Sequence, residues 1–494
     1  MKLIYNVQDK PKFGQMVVFG FQQLLAILAA TIAVPSIIGN GMSQSAALFG
    51  AGVGTIVYLL FTKFRSPVFL GSSFAFIGSM FAAFGGAASA QAGYAGLILG
   101  AAFAGLVYVV IAIAVKVAGV EWINKLMPAV VIAIVVKVAG VKWVDKLMPK
   151  QVIGPTVSII GLSLAGNAVG DLTLGKVMTE VTTQVIKDGA IVDEVSAVSA
   201  ANPYVALLCG FVTLFTVIIC SVYGKRMAKL IPFIIGICAG YLTATIFTVI
   251  GIKTGNTALQ VIDFTVFSNM EWFAIPDFTF LEASKGLSQI NGQYIATVAV
   301  AYVPVAFVVF AEHIADHKNL SSIIEKDLLK EPGLHRTLLG DGVGSMAGAL
   351  FGGCPNTTYG ESVGCVAITG NASVVTILTT AVMAIIISFF GPFVTFLASI
   401  PNCVMGGVCI TLYGFIAVSG LKMIQGVDLG ENKNLFVVAV ILICGIGGLV
   451  VSFGKVTLTS VACALILGII TNLLVSKAKG ESTETEKKET AKKA

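Results

Sequence analysis

Glu312 stands inside the run VAVAYVPVAFVVFAEHIADH, behind about ten apolar residues, with His313, Asp316 and His317 close after it. An acid so placed is expensive to keep in an apolar span and marks a functional site by default. Positions 312 and 316 lie one helical turn apart on a shared face, so the two acids can hold a single proton between them. Glu361 closes NTTYGE in a second, shorter apolar stretch, and Asp341 falls in LLGDGVGSMAG, where the next crossing is expected to begin. Asp341 fits either a proton relay or a helix cap. Two buried carboxylates accept hydrogen bonds, backbone N–H groups at helix N-termini donate them, and Phe74, Tyr359 or Tyr413 offers a stacking face. That set suits a planar, neutral heterocycle carrying N–H donors and C=O acceptors. His317 and His335 read as residues of the cytoplasmic rim, and with no HExxH and no paired cysteines a metal is not expected. No nucleophile–base pair lies inside an apolar run, so an enzyme is not expected either.

These side chains need helices that cross a membrane. Of 494 residues, 56% are apolar and 11% charged, too little charge to cover a soluble protein of this size. Apolar stretches long enough to cross about 30 Å of hydrocarbon recur throughout. Fourteen candidate crossings centre near residues 25, 53, 76, 104, 160, 212, 241, 304, 346, 363, 385, 412, 442 and 466. Those near 76 and 363 are short and interrupted, and read as strand-plus-half-helix crossings. With both termini in the cytoplasm, this count leaves 26 of the 31 Lys and Arg residues inside, as the positive-inside rule requires. The net charge of +6 therefore belongs to topology and implies no nucleic acid partner. The N-terminus shows no cleavable signal, so the first span is expected to anchor the chain. The nine cysteines are scattered singly and read as unpaired thiols. The charged tail, 477–494, reads as disordered.

Two segments in different halves share a layout: Pro149-KQVI-Gly154 leads to GLSLAGNAVG, and Pro401-NCVM-Gly406 leads to LYGFIAVSG. The short crossings also correspond, each third in a set of seven, and an odd number per half inverts the second half relative to the first. The expected architecture is an all-α polytopic membrane protein with a first repeat over 1–252, an extracellular connection over 253–292 and a second repeat over 293–476. A separate tandem copy occurs within 116–149, where KVAGVEWINKLMP recurs as KVAGVKWVDKLMP. The intervening AVVIAIVV is too short to span, so both copies read as interfacial helices with Trp122 and Trp143 at the headgroups.

FQQLLAILAATIAVP, FLGSSFAFIGSM, FAEHIADH, KDLLKEPGLHRTLLGDG, GGCPNTTYGESVGCVAITG and VMGGVCITLYGFIAVSG together resemble the nucleobase/ascorbate transporter family, nearest its bacterial uracil permeases. The likeness covers nearly the whole chain except 116–136 and the tail. It implies a core domain of spans 1–4 and 8–11, a gate domain of spans 5–7 and 12–14 that often dimerises, and import of a nucleobase with a proton across the plasma membrane. It further implies that Glu312 and Glu361 hold the edges of a uracil ring and that the N–H groups of Phe74 and Gly360 meet its carbonyls. Ala30, Tyr359 and Tyr413 would line the pocket, and Glu312, Asp316, His313 and Asp341 would handle the proton, with no organic cofactor. Three departures stand out: Ser362 replaces the family's Asn, Gln22-Gln23 replaces its Gln-His pair, and Asp316 stands where relatives with AEHIGH have His. A xanthine or other purine permease, an anion exchanger of the same general fold and a non-transporting nucleobase sensor are the alternatives.

Overall fold

The computed structural model describes residues 3–118, 149–187, 190–225, 227–268, 270–453 and 456–475. The tandem copy between 119 and 148, its two tryptophans and the charged tail lie outside the described residues.

Every crossing centre read from the sequence falls within a helical segment. The first half holds α1 (Phe13–Ile38), α2 (Gln44–Phe61), the strand β1 (Leu70–Ser72), α3 (Ile77–Gly85) and α4 (Ala90–Ala118). It continues with α5 (Lys150–Ser163), α6 (Ala165–Asp171), a ribbon of β2 (Met178–Lys187) and β3 (Ala190–Ser199), α7 (Pro203–Tyr223) and α8 (Pro232–Thr254). A connection containing α9 (Thr279–Gly286) leads to α10 (Gly292–Ile324), α11 (Leu334–Gly352), β4 (Asn356–Thr358), α12 (Gly360–Thr369) and α13 (Val374–Ile387). The chain ends in α14 (Gly391–Ser399), α15 (Asn402–Ile424), α16 (Asn432–Ile446) and α17 (Ser460–Val475). Among the described residues, eight helices are long and apolar enough to cross a bilayer unaided. The β2–β3 ribbon was not anticipated, although Asp188-Gly189 between two β-branched runs is a strong hairpin signal.

Packing follows a twofold rule. Corresponding elements of the two halves touch: α2 lies on α11, β1 pairs with β4, and α5 lies on α15. Other contacts come in mirrored pairs, α4 on α10 matched by α1 on α13, and α15 on α7 matched by α5 on α16. Two copies of one unit related by an axis in the membrane plane must pack in this way. The axial contacts are close because glycines meet there. A Cβ on Gly50 would lie 2.5 Å from the Gly348 carbonyl oxygen, and one on Gly161 would lie 2.2 Å from that of Tyr413. Helices α5 and α15 also begin alike, each with a proline in extended conformation just before its first turn (Pro149 and Pro401).

Candidate functional site

Three-residue strands cannot survive in hydrocarbon unless every backbone polar group finds a partner. Here β1 and β4 run antiparallel, with Leu70 opposite Thr358, Gly71 opposite Thr357 and Ser72 opposite Asn356. Side chains close the outer edges: the Thr55 hydroxyl donates to the Leu70 carbonyl at 3.2 Å, and the Asn356 amide donates to the Gly50 carbonyl at 3.0 Å. The Phe69 amide donates to the Ser362 hydroxyl at 3.0 Å, and Gln23 Nε2 donates to the same oxygen at 2.6 Å. Tyr359 folds back over Gly71 and donates to the Ser72 carbonyl at 2.8 Å.

The crossed strands aim two helix beginnings at one space. Neither the 3-10 turn at Phe74–Phe76 nor α12 has a side-chain cap, so their first-turn amides are left for other partners. Both beginnings line a cavity of about 200 Å³. Glu361 lies in the first turn of α12 and faces the cavity, where the partial positive charge of the helix terminus favours an anion or an acceptor. Helix α10 contributes Val308, Glu312, Ala315 and Asp316, spaced as one helical face requires. The Thr358 hydroxyl donates to Asp316 Oδ2 at 2.9 Å, joining the second acid to β4. Opposite stand Val157 and Ile160 of α5 and a stripe on α15 formed by Leu412, Ile416, Ser419 and Met423.

The sequence-derived residues therefore divide. Glu312, Asp316, Glu361, Phe74, Tyr359 and Gly360 all line the cavity. Ala30 and Tyr413 are buried outside its lining, Tyr413 packing edge-on to the Phe74 ring with centroids 6.1 Å apart. His313, on the flank of α10, and Asp341 of α11 lie outside the cavity lining, fully buried and 2.7 Å apart. Asp341 is the eighth residue of α11, too deep to cap it. His317 is fully buried and hydrogen-bonded by Tyr58 at 2.7 Å, which corrects its placement at the cytoplasmic rim. Reading from sequence missed Thr358 and the α15 stripe, although the spacing of 412, 416, 419 and 423 is that of one helix face.

A helical membrane protein with inverted halves and a cavity between two half-helix beginnings has the architecture found in many secondary transporters. Solved structures agree on the fold. The transmembrane domain of the cyanobacterial bicarbonate transporter BicA superposes with a TM-score of 0.56 at 16% identity, covering 95% of this chain and 99% of that one. Murine Slc26a9, an anion transporter, gives 0.57 at 13% identity, covering 95% and 69%. The chain belongs to the nucleobase/ascorbate transporter family. The family model described as "Permease family" (Xan_ur_permease) matches residues 14–142 and again 129–453. The uracil permease of Bacillus caldolyticus is 37% identical over 477 residues, 96% of this chain and 95% of that protein. The uracil permease of Bacillus subtilis is 35% identical over 491 residues, covering 98% of both, and that of Escherichia coli K12 is 30% identical. These relatives are permeases, and this protein is a transporter rather than an enzyme.

Proposed function

We propose that this protein imports uracil across the plasma membrane together with a proton, with both chain termini in the cytoplasm. The observation that carries the reading is the convergence on one cavity of Glu312, Glu361 and the uncapped helix beginnings at Phe74 and Gly360. Uracil offers two ring N–H donors and two carbonyl acceptors, the complement of two carboxylates and two amides. Tyr359 supplies the aromatic wall. Glu312 and Asp316, one turn apart on the cavity face, share the coupling proton, and Thr358 orients Asp316. Spans 1–4 and 8–11 carry the base as a core domain. Spans 5–7 and 12–14 form the gate, through which two copies pair. The apolar stripe on α15 is the gate surface past which the core slides.

Uptake of radiolabelled uracil into cells, competed with unlabelled xanthine and thymine, tests the substrate. Unlabelled uracil, added as the control, is expected to compete and xanthine is not. Glu312→Gln and Glu361→Gln should each reduce uptake by about a hundredfold, since ligand donors would lose charged acceptors worth a few kcal/mol each. Variants that bind uracil within about twofold of the parent would remove the site assignment. A protonophore that collapses the gradient at fixed external pH should stop accumulation. Accumulation that persists on a sodium gradient would end the proton reading.

A further inference from the structure

Behind the cavity wall lies a polar cluster that the binding of a base does not use. His313 Nδ1 is 2.7 Å from Asp341 Oδ2, and His313 Nε2 is 3.0 Å from the Thr337 hydroxyl. That hydroxyl also lies 3.1 Å from the Leu334 carbonyl, and with its hydrogen turned there it can only accept at Nε2. In that orientation Nε2 carries a hydrogen. In a neutral imidazole Nδ1 is then an acceptor, and the hydrogen of the 2.7 Å contact has to come from the carboxyl group.

Two neighbouring features point the same way. Asp341 Oδ1 is buried without a hydrogen-bond partner, tolerable for the carbonyl oxygen of an acid and costly for a carboxylate. His317 stacks on His313 with centroids 4.1 Å apart, a contact that disfavours charge on both rings. His317 Nδ1 donates to the His313 carbonyl at 2.8 Å, and its Nε2 lies 2.7 Å from the Tyr58 hydroxyl, which is itself 2.7 Å from that of Ser66; a neutral ring accepts there from Tyr58. The titratable groups facing the pair are Tyr58 of α2, Tyr108 of α4, and Glu312 and Asp316 of α10 itself. None of them is a cation that would offset a carboxylate.

We propose that Asp341 is a neutral carboxylic acid donating to His313, and that this sealed hydrogen bond is a positioning device for the cavity face of α10. It holds its proton throughout the transport cycle. Residues 308, 312, 315 and 316 reach the cavity only at one rotation of α10, and a bond from its flank to α11 fixes that rotation. Because α2, α4, α10 and α11 belong to one packed group, the cluster moves as a unit and meets neither aqueous phase. The last point rests on the core-and-gate reading given above.

The test begins with infrared difference spectra of the purified parent protein against Asp341→Asn, from about pH 5 to about pH 9, a range that brackets ordinary acid and imidazole titration. A protonated-carboxyl band lost in the variant at every pH is expected. A missing band, or one that vanishes as pH rises, overturns the proposal. The spectra need no substrate, so an error about uracil leaves this arm intact. Asparagine copies a protonated acid, donor included, so Asp341→Asn should keep uptake within about twofold with an unmoved pH profile. Asp341→Ala and His313→Phe should lose about tenfold or more, the cost of leaving a buried polar group unpaired. An Asn variant that folds yet fails as completely as Ala also overturns it.

Discussion

Gly71 sits beneath the Tyr359 ring with no room above it, since a Cβ there would lie 2.2 Å from the ring. Gly71→Ala must displace either the tyrosine or the strand, and overpacking of this kind costs about 1–3 kcal/mol. The variant should melt at a lower temperature in detergent and bind uracil at least about tenfold more weakly by calorimetry. Unchanged melting and binding would show that the ring's seat over β1 is not needed. At this scale the sequence revealed the acids and, with the family motifs, Phe74, Tyr359 and Gly360 beside them. Glu312 and Glu361 are legible because a carboxylate among apolar neighbours has few structural uses. Thr358 is not, since threonine is at home both in strands and in membrane helices. His317 misleads because Lys318 and Asn319 beside it are exposed, while the turn of the helix carries the imidazole inward.

Ser362 is the joint through which α12 is tied to α1 and to the lead-in of β1, since its hydroxyl accepts from both Gln23 and Phe69. Ser362→Ala strands two buried donors at once. Each loss is worth about 1–3 kcal/mol, so the KM for uracil should rise about tenfold or more and the melting temperature should fall. A Ser362→Ala protein with parental KM and melting behaviour would mean that Glu361 needs no such tether. Both half-helices could be found without a structure because leaving either out of the count puts lysines on the wrong side. The pairing of β1 with β4 could not be found that way. Its strands are three residues each and lie in different halves, so no local periodicity reports it.

Over the whole chain, the family model matches 14–142 and then starts again at 129, overlapping across the spacer 129–136 and the start of the second copy. One copy is therefore surplus to the family pattern. Deleting residues 116–136 should leave uracil uptake within about twofold, because a segment too short to span changes no downstream orientation. Single cysteines in a cysteine-free background check the same point: one at Lys187 should react with an impermeant thiol reagent from outside, and one at Lys229 only from inside. The reverse pattern would make the insert a fifteenth crossing. The meeting of β1 and β4 also sets an order of events during synthesis. Ser72 leaves the ribosome roughly 280 residues before its partner Asn356, a wait of about 15–60 s at ordinary elongation rates. Through that interval the first half carries a strand with open edges that lipid cannot satisfy. The translocon, or a chaperone in the bilayer, must shelter it until the second half arrives. Chains truncated between the two strands should then be strongly prone to quality-control proteolysis, more so than chains ending just after α12.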